Sequence, residues 1–100
     1  MNGIEMIAAE RQRQVEKEGW TPEHDDQHVN GEMATAAACY AMVPDKCDES
    51  VAMELPDIWP ETWSPKWWKP SPKKRIRELE KAGALIAAEI DRLLRLNAGA

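Results

Sequence analysis

The sequence predicts an all-α fold, a small bundle of three main helices with a long Pro/Trp-rich connection. Apolar residues recur at helical spacing near both ends of the chain, and an alanine-rich run lies between them. Five of the seven prolines fall within residues 44–70, where they exclude a long helix or a central strand. Because 100 residues support one core, we expect a single helical domain over residues 1–100.

Residues 4–18 have the spacing of an amphipathic helix, whose apolar face comprises Ile4, Ile7, Ala8 and Val15. Gly19 suits the left-handed position that follows a helix end. Thr21 and Pro22 suit the N-cap and first residue of a one-turn helix. We expect Trp20, between these two signals, to lie in the core.

The second helix is predicted from the run EMATAAACYAMV, with Asn30 as its N-cap and Pro44 as its stop. Its alanines allow a neighbouring helix to approach closely. Cys39 is expected to be a small core residue. Its spacing from Cys47 matches neither a redox pair nor a zinc knuckle, so we expect reduced thiols in a cytoplasmic protein.

Residues 44–71 form the connection, with a short helix predicted at Glu49 to Leu55. A structureless loop of this length is uncommon in a small domain, so we expect its tryptophans to pin it to the core. At least two of the four are predicted to be buried: Trp59, Trp63, Trp67 and Trp68.

The last helix is predicted to open at Ser71 and Pro72. Its apolar residues alternate in steps of three and four, which predicts a packing seam with Gly83 as a point of close approach. The seam residues are Ile76, Leu79, Gly83, Ile86, Ile90 and Leu93.

Charge is unevenly distributed around the net −5. Residues 1–62 hold fourteen acidic and four basic residues, whereas residues 63–100 hold four acidic and nine basic ones. The asymmetry indicates that the halves attract each other or that each faces a charged partner. The acidic half argues against general nucleic-acid affinity, although KKRIR beside WSPKWWKP has the ingredients of a single-strand binding surface.

His24 and His28, with Asp25 and Asp26 between them, form the one grouping that suits a metal. The turn is too short to hold both rings in a rigid frame, so the sequence favours salt bridges and aspartates that cap the second helix. Nucleophile motifs, phosphate-binding glycine loops and paired ExxE signatures do not occur in the sequence. We expect no enzyme activity, no metal and no cofactor. The chain start lacks a signal-peptide pattern, and no apolar run has the length of a membrane span.

Nearly the whole chain resembles a small helical protein family common in phages and prophages. The resemblance rests on the order IAAERQRQ…EKEGWTPEHDDQH…GEMATAAACYA…WWKP…KAGALIAAEIDRL. Within that family, the length and acidity are similar to those of a type I-F anti-CRISPR protein. The first third shows a weaker similarity to the RyR domain.

The anti-CRISPR resemblance implies a non-enzymatic inhibitor that binds Cas proteins of a type I CRISPR surveillance complex where target DNA would enter. Acidic side chains on rigid helices can occupy lysine and arginine sites built for phosphates. We expect a monomer that contacts neither nucleic acid nor a membrane. Its expected partner-binding residues are Glu10, Arg11, Arg13, Glu16, Glu18, Glu23, Asp25, Asp26 and Glu32.

Two alternatives remain at the level of sequence. One is a small-ligand module or sponge for a nucleotide-like molecule, acting in phage–host conflict, with a pocket lined by Arg11, Trp20 and Asp26. The other is a structural phage protein.

Overall fold

The computed structural model describes residues 1–43, 53–71 and 73–99. The helices are α1 (Gly3–Lys17), α2 (Pro22–Asp25), α3 (Glu32–Met42) and α4 (Arg75–Ala98), and a 3-10 helix covers Pro65–Trp67. Within the described ranges there is no β-strand. The predicted all-α class with three main helices is confirmed.

Both ends of α1 follow local sequence rules. Asn2 and Glu5 form a reciprocal capping box, with N–H to oxygen distances of 3.0 and 3.1 Å. Gly19 has a φ of +74°, the left-handed conformation that glycine adopts at no steric cost. Thr21 then caps α2 by accepting from the backbone N–H of His24. The roles of Gly19 and Thr21 were predicted correctly, and the predicted bounds 4–18 lie within one residue of those observed, whereas the Asn2 capping box was not predicted.

The start of α3 differs from the prediction. Gly31, with a φ of +75°, is the residue before the helix, and it supplies no side-chain cap. The Asn30 N–H donates to the carboxylate of Glu32 at 2.6 Å. The prediction that the Asn30 side chain caps the helix is therefore wrong, because a carboxylate inside the first turn organises the turn instead.

The core lies between α3, α4 and the connection. Its buried apolar cluster is Met33, Ala36, Ala37, Cys39, Tyr40, Val43, Trp59, Trp63, Trp68, Ala82, Leu85 and Ala88, with Trp20 partly buried against it. Three of the four connection tryptophans are thus buried, which confirms that they pin the segment to the core. Cys39 is a buried free thiol. The predicted stop at Pro44 and most of the predicted Glu49–Leu55 helix fall on residues 44–52, outside the described residues.

The predicted seam of α4 faces outward. Ile76, Leu79, Ile86, Ile90 and Leu93, which we call the outer face, are between 42% and 65% exposed. The inner face, which packs towards α3, consists of Glu78, Ala82, Ala84, Leu85, Ala88, Glu89 and Arg92. Residues 78, 82, 85, 89 and 92 also alternate in steps of four and three, so the periodicity fits either face.

The close approach predicted at Gly83 is confirmed, although its partner is α1. A Cβ added to Gly83 would lie 2.5 Å from Cδ1 of Ile7. α1 thus crosses the outer face of α4 at this residue. The prediction that Ser71 and Pro72 open the helix is wrong: α4 begins at Arg75, and no side chain caps it.

The face assigned to α1 is also wrong. Its buried residues are Glu10 and Gln14, whereas Ile4 and Ala8 are exposed and Ile7 and Val15 are half-buried. The physical reason is the ion pair between Glu10 and Arg77 of α4, at 2.6 Å. This contact turns a polar stripe of α1 towards the rest of the protein.

Candidate functional site

A cavity of about 670 Å³ lies where α1, α3, α4 and residues 67–71 meet. This volume falls within the range of small-molecule sites. Its described lining includes four aromatic rings and four cationic side chains against two carboxylates. They are Trp20, His24, Tyr40 and Trp67; Arg13, Lys69, Arg77 and Lys81; and Glu10 and Glu18.

Glu10 anchors one wall of the cavity. It accepts hydrogen bonds from Arg13 at 2.7 and 3.0 Å and from Arg77 at 2.6 Å, and it is 3% exposed. Burial by itself raises the pKa of Glu10, but the hydrogen bonds from Arg13 and Arg77 outweigh it, so the pKa lies below its usual value. The wall is therefore an ionised carboxylate clamped between two guanidinium groups.

Gln14 presents an unpartnered acceptor in this wall. Its Nε2 donates to Glu10 at 3.3 Å, and because a carboxylate only accepts, the amide oxygen must face away from it. Among the described residues that oxygen has no hydrogen-bond partner, although its side chain lines the cavity. The atom itself is buried, and an unsatisfied buried acceptor costs about 1–3 kcal/mol.

Tyr40 and Lys81 form the opposite wall. The Tyr40 hydroxyl donates to the Trp67 carbonyl at 3.3 Å and accepts from the Lys69 N–H at 3.1 Å. Burial raises the pKa of Tyr40 to about 12. Lys81 donates to the Lys69 carbonyl at 2.5 Å and to the Ser71 hydroxyl at 2.9 Å, and burial lowers its pKa. Residues 67–71 are therefore held against the cavity by side chains from α3 and α4.

The two histidines belong to an ordered hydrogen-bond chain. Trp63 Nε1 lies 3.1 Å from His28 Nδ1, and because an indole only donates, that nitrogen accepts. His28 Nε2 lies 3.4 Å from His24 Nε2, and His24 Nδ1 lies 3.2 Å from Asp25. Burial lowers the pKa of His28, and the neighbouring His24 lowers it further. His24 also stacks on Trp20 with an interplanar angle of 7°, and both rings line the cavity.

A metal on the facing nitrogens of His24 and His28 would compete with this chain. A neutral imidazole has one acceptor nitrogen, and Trp63 already uses that of His28. In the described part of the chain, no group of three or more His, Cys, Asp or Glu residues has the arrangement of a metal site. The expectation that no metal is bound stays a prediction.

Three of the acids assigned to a partner-binding surface are buried. Glu10 is clamped as described, and Asp25 is fully buried in a salt bridge with Arg11. Glu32 accepts from the Asn30 N–H at 2.6 Å and from Thr62 at 3.0 Å. Their assignment to an exposed acidic surface is wrong, because each carboxylate meets internal donors.

The remaining assigned residues are more accessible. Glu16 and Glu23 are exposed. Glu18 pairs with Arg13 at 3.1 Å and with Lys69 at 3.7 Å. Asp26 pairs with Arg95 at 2.7 Å rather than capping α3. Together with the Glu10–Arg77 pair, these contacts show that the two oppositely charged halves do attract each other.

The alternative pocket lined by Arg11, Trp20 and Asp26 is partly correct. Trp20 lines the cavity. Arg11 is outside the described cavity lining, but it donates to the Trp20 carbonyl at 3.2 Å and pairs with Asp25. Asp26 lies in a different groove with Arg95.

Sequence reasoning missed most of the cavity. Gln14, Tyr40, Lys69, Arg77 and Lys81 come from α1, α3, the connection and α4, and no local motif links them. Besides Trp20, the sequence indicated the cavity only through the combination of basic and aromatic residues in WSPKWWKP, which supplies Trp67 and Lys69.

No described helix has both the length and the apolar character required to cross a membrane. Comparison with protein-family models, with curated proteins and with solved structures finds no match for this chain.

Proposed function

We propose that this protein is a small-ligand binding module whose ligand is a nucleotide-like anion with a planar base. The observation that carries the proposal is the cavity of about 670 Å³, whose described lining combines four cationic side chains with four aromatic rings. The proposed activity is binding rather than catalysis. It would take place in the cytoplasm of a host cell, where sequestering a nucleotide would benefit a phage in its conflict with the host.

Each part of a nucleotide has a counterpart in the lining. A base can stack on Trp20 or Trp67, and such stacking contributes about 1–3 kcal/mol per base. A phosphate can accept from Lys69, whose side chain is 66% exposed and lies 3.7 Å from the Glu18 carboxylate, while Arg13, Arg77 and Lys81 add positive potential.

The test is calorimetric titration with the four common nucleoside monophosphates, and with inorganic phosphate as a separate probe. We expect saturable binding of at least one nucleotide, and a higher melting temperature at saturation because ligand binds only the folded state. Lys69→Ala should weaken that binding about tenfold, which corresponds to about 1.4 kcal/mol.

The matched control is Lys66→Ala, an exposed lysine in the 3-10 helix that is outside the described cavity lining. It should leave affinity unchanged. Absence of binding to every nucleotide would overturn the proposal, as would equal losses in both variants. Equal affinity for inorganic phosphate and for nucleotides would overturn the role given to the aromatic rings.

Inhibition of a type I-F CRISPR complex is the second proposal, supported by the exposure of Glu16 and Glu23 and the net charge of −5. These carboxylates can occupy phosphate sites on Cas proteins. The double variant Glu16→Lys/Glu23→Lys should reduce capture by the purified complex at least tenfold, whereas Glu61→Lys, an exposed acid in the connection, should not. No capture of the unaltered protein would exclude this function.

A further inference from the structure

The second half of α4 carries an apolar patch that the described part of the chain leaves uncovered. Together with Val29, which precedes α3, its side chains are between 42% and 63% exposed. The patch consists of Val29, Ile86, Ile90, Leu93, Leu94 and Leu96. It lies beyond the crossing of α1 at Gly83, and none of its residues lines the ligand cavity.

The shape of the patch suits another helix. Ile86, Ile90 and Leu93 follow one another in steps of four and three, which is the spacing that helix–helix packing requires. Val29, Leu93 and Leu96 line a groove of about 600 Å³ beside this ridge. A two-fold interface requires a surface that is complementary to itself, and a ridge beside a groove has the elements that this requires.

The charges around the patch indicate which kind of partner could cover it: a membrane, a nucleic acid or a second copy of the chain. Asp26 and Arg95 lie at its edge and pair with each other at 2.7 Å. A membrane or a nucleic acid would favour a basic rim. This rim carries both signs, which a second copy of the same rim can match.

The exposed area of the patch is also consistent with coverage by a second copy of the chain. The six side chains expose on the order of 600 Å², at the upper limit for the largest apolar patch of a typical monomer. A standard interface buries about 800 Å² per partner, and weaker ones bury less. Burial of the patch and its rim therefore meets the requirement of a modest dimer.

We propose that a second copy of this chain covers the patch, with the two α4 helices packed about a two-fold axis close to Ile90. The monomer expected from the sequence is then the dilute form. The dimer leaves both cavities open, because the patch and the described cavity lining share no residue.

The test is the mass of the intact protein by sedimentation equilibrium over a range of micromolar concentrations. We expect the mass to double as concentration rises. Ile90→Glu should abolish the doubling. The matched control Ile76→Glu replaces an equally apolar outer-face residue, 65% exposed, on the other side of the α1 crossing, and it should dimerise normally.

A second variant keeps the proposal testable if Ile90→Glu fails to fold. Ile90→Cys should form a disulfide-linked dimer under mild oxidation, because a two-fold axis brings the two copies of one position together, and the unaltered protein controls for the native cysteines. A monomer at every concentration would overturn the proposal. Retained dimerisation in a folded Ile90→Glu variant, or its loss in Ile76→Glu, would overturn the location of the interface.

Discussion

The two faces of α4 differ in a way that hydrophobicity alone does not explain. The outer face presents isoleucine and leucine to solvent, whereas the inner face buries alanines, Leu85 and the ion pair between Glu89 and Arg92. Both faces repeat in steps of three and four residues. The helix therefore had two candidate seams, and the one that carries the alanines faces the core.

The difference teaches that a partner's shape decides which seam is buried. α3 contributes Ala36 and Ala37 to the core, and α4 contributes Ala82 and Ala88. Small residues on both helices let the backbones approach closely, and the connection tryptophans supply the volume that aliphatic side chains supply elsewhere. An outer-face isoleucine in the same position would hold the helices apart.

The sharpest test of this comparison is a pair of identical truncations. Leu85→Ala, on the inner face at 1% exposure, should lower the free energy of unfolding by about 2–5 kcal/mol. Leu94→Ala, on the exposed side at 60%, should change it by less than about 0.5 kcal/mol. Urea unfolding at low micromolar concentration measures both without interference from the proposed dimer. Equal losses would refute the distinction between the faces.

A second test concerns the ion pairs of Glu10, which connect α1 to Arg77 of α4. Because the pKa of Glu10 in the folded protein lies below its usual value of 4.5, its contribution to stability is complete above that value. It is lost as the pH falls through the lowered folded pKa. Glu10→Gln should destabilise the protein by about 1–3 kcal/mol at neutral pH, since Arg13 and Arg77 lose a charged acceptor.

Thermal melts across the acid range measure this effect. The melting temperature of Glu10→Gln should fall less steeply below pH 4.5 than that of the unaltered protein, which has one more such carboxylate to protonate. The exposed acid Glu61 provides the control, because Glu61→Gln should leave the slope unchanged. Parallel slopes for all three proteins would show that the Glu10 cluster does not contribute in this way.

The smallest expected effect is at the crossing that divides the outer face. Replacing glycine by alanine inside a helix normally stabilises it by about 1 kcal/mol. At Gly83 the new Cβ would lie 2.5 Å from Cδ1 and 2.7 Å from Cγ1 of Ile7, so Gly83→Ala should bring no gain. In an Ile7→Ala background the same change should recover about 1 kcal/mol, and a double-mutant cycle by urea unfolding measures the coupling. Additive changes would mean that α1 does not cross at Gly83.

The functional features also fall into those that were visible in the sequence and those that depend on long-range contacts. Acidity, the positions of Trp20 and Trp67, and the aromatic-basic composition of the connection were visible in the sequence. The hydrogen bond from Arg77 to Glu10 joins α4 to α1 across a sequence separation of 67 residues. No local pattern predicts which carboxylate meets which guanidinium at that separation.

By itself, the sequence determined where the chain turns and which residue types are available. The Asn2 and Thr21 caps, the left-handed Gly19, the proline-rich connection and the buried tryptophans follow from local sterics and composition. Only the tertiary structure decided which face of each helix is buried and where the cavity lies. The reason is that periodicity identifies the buried face of a helix only when the neighbouring element is known. In α4 two faces have the same period, and the alanine-lined surface of α3 packs against one of them.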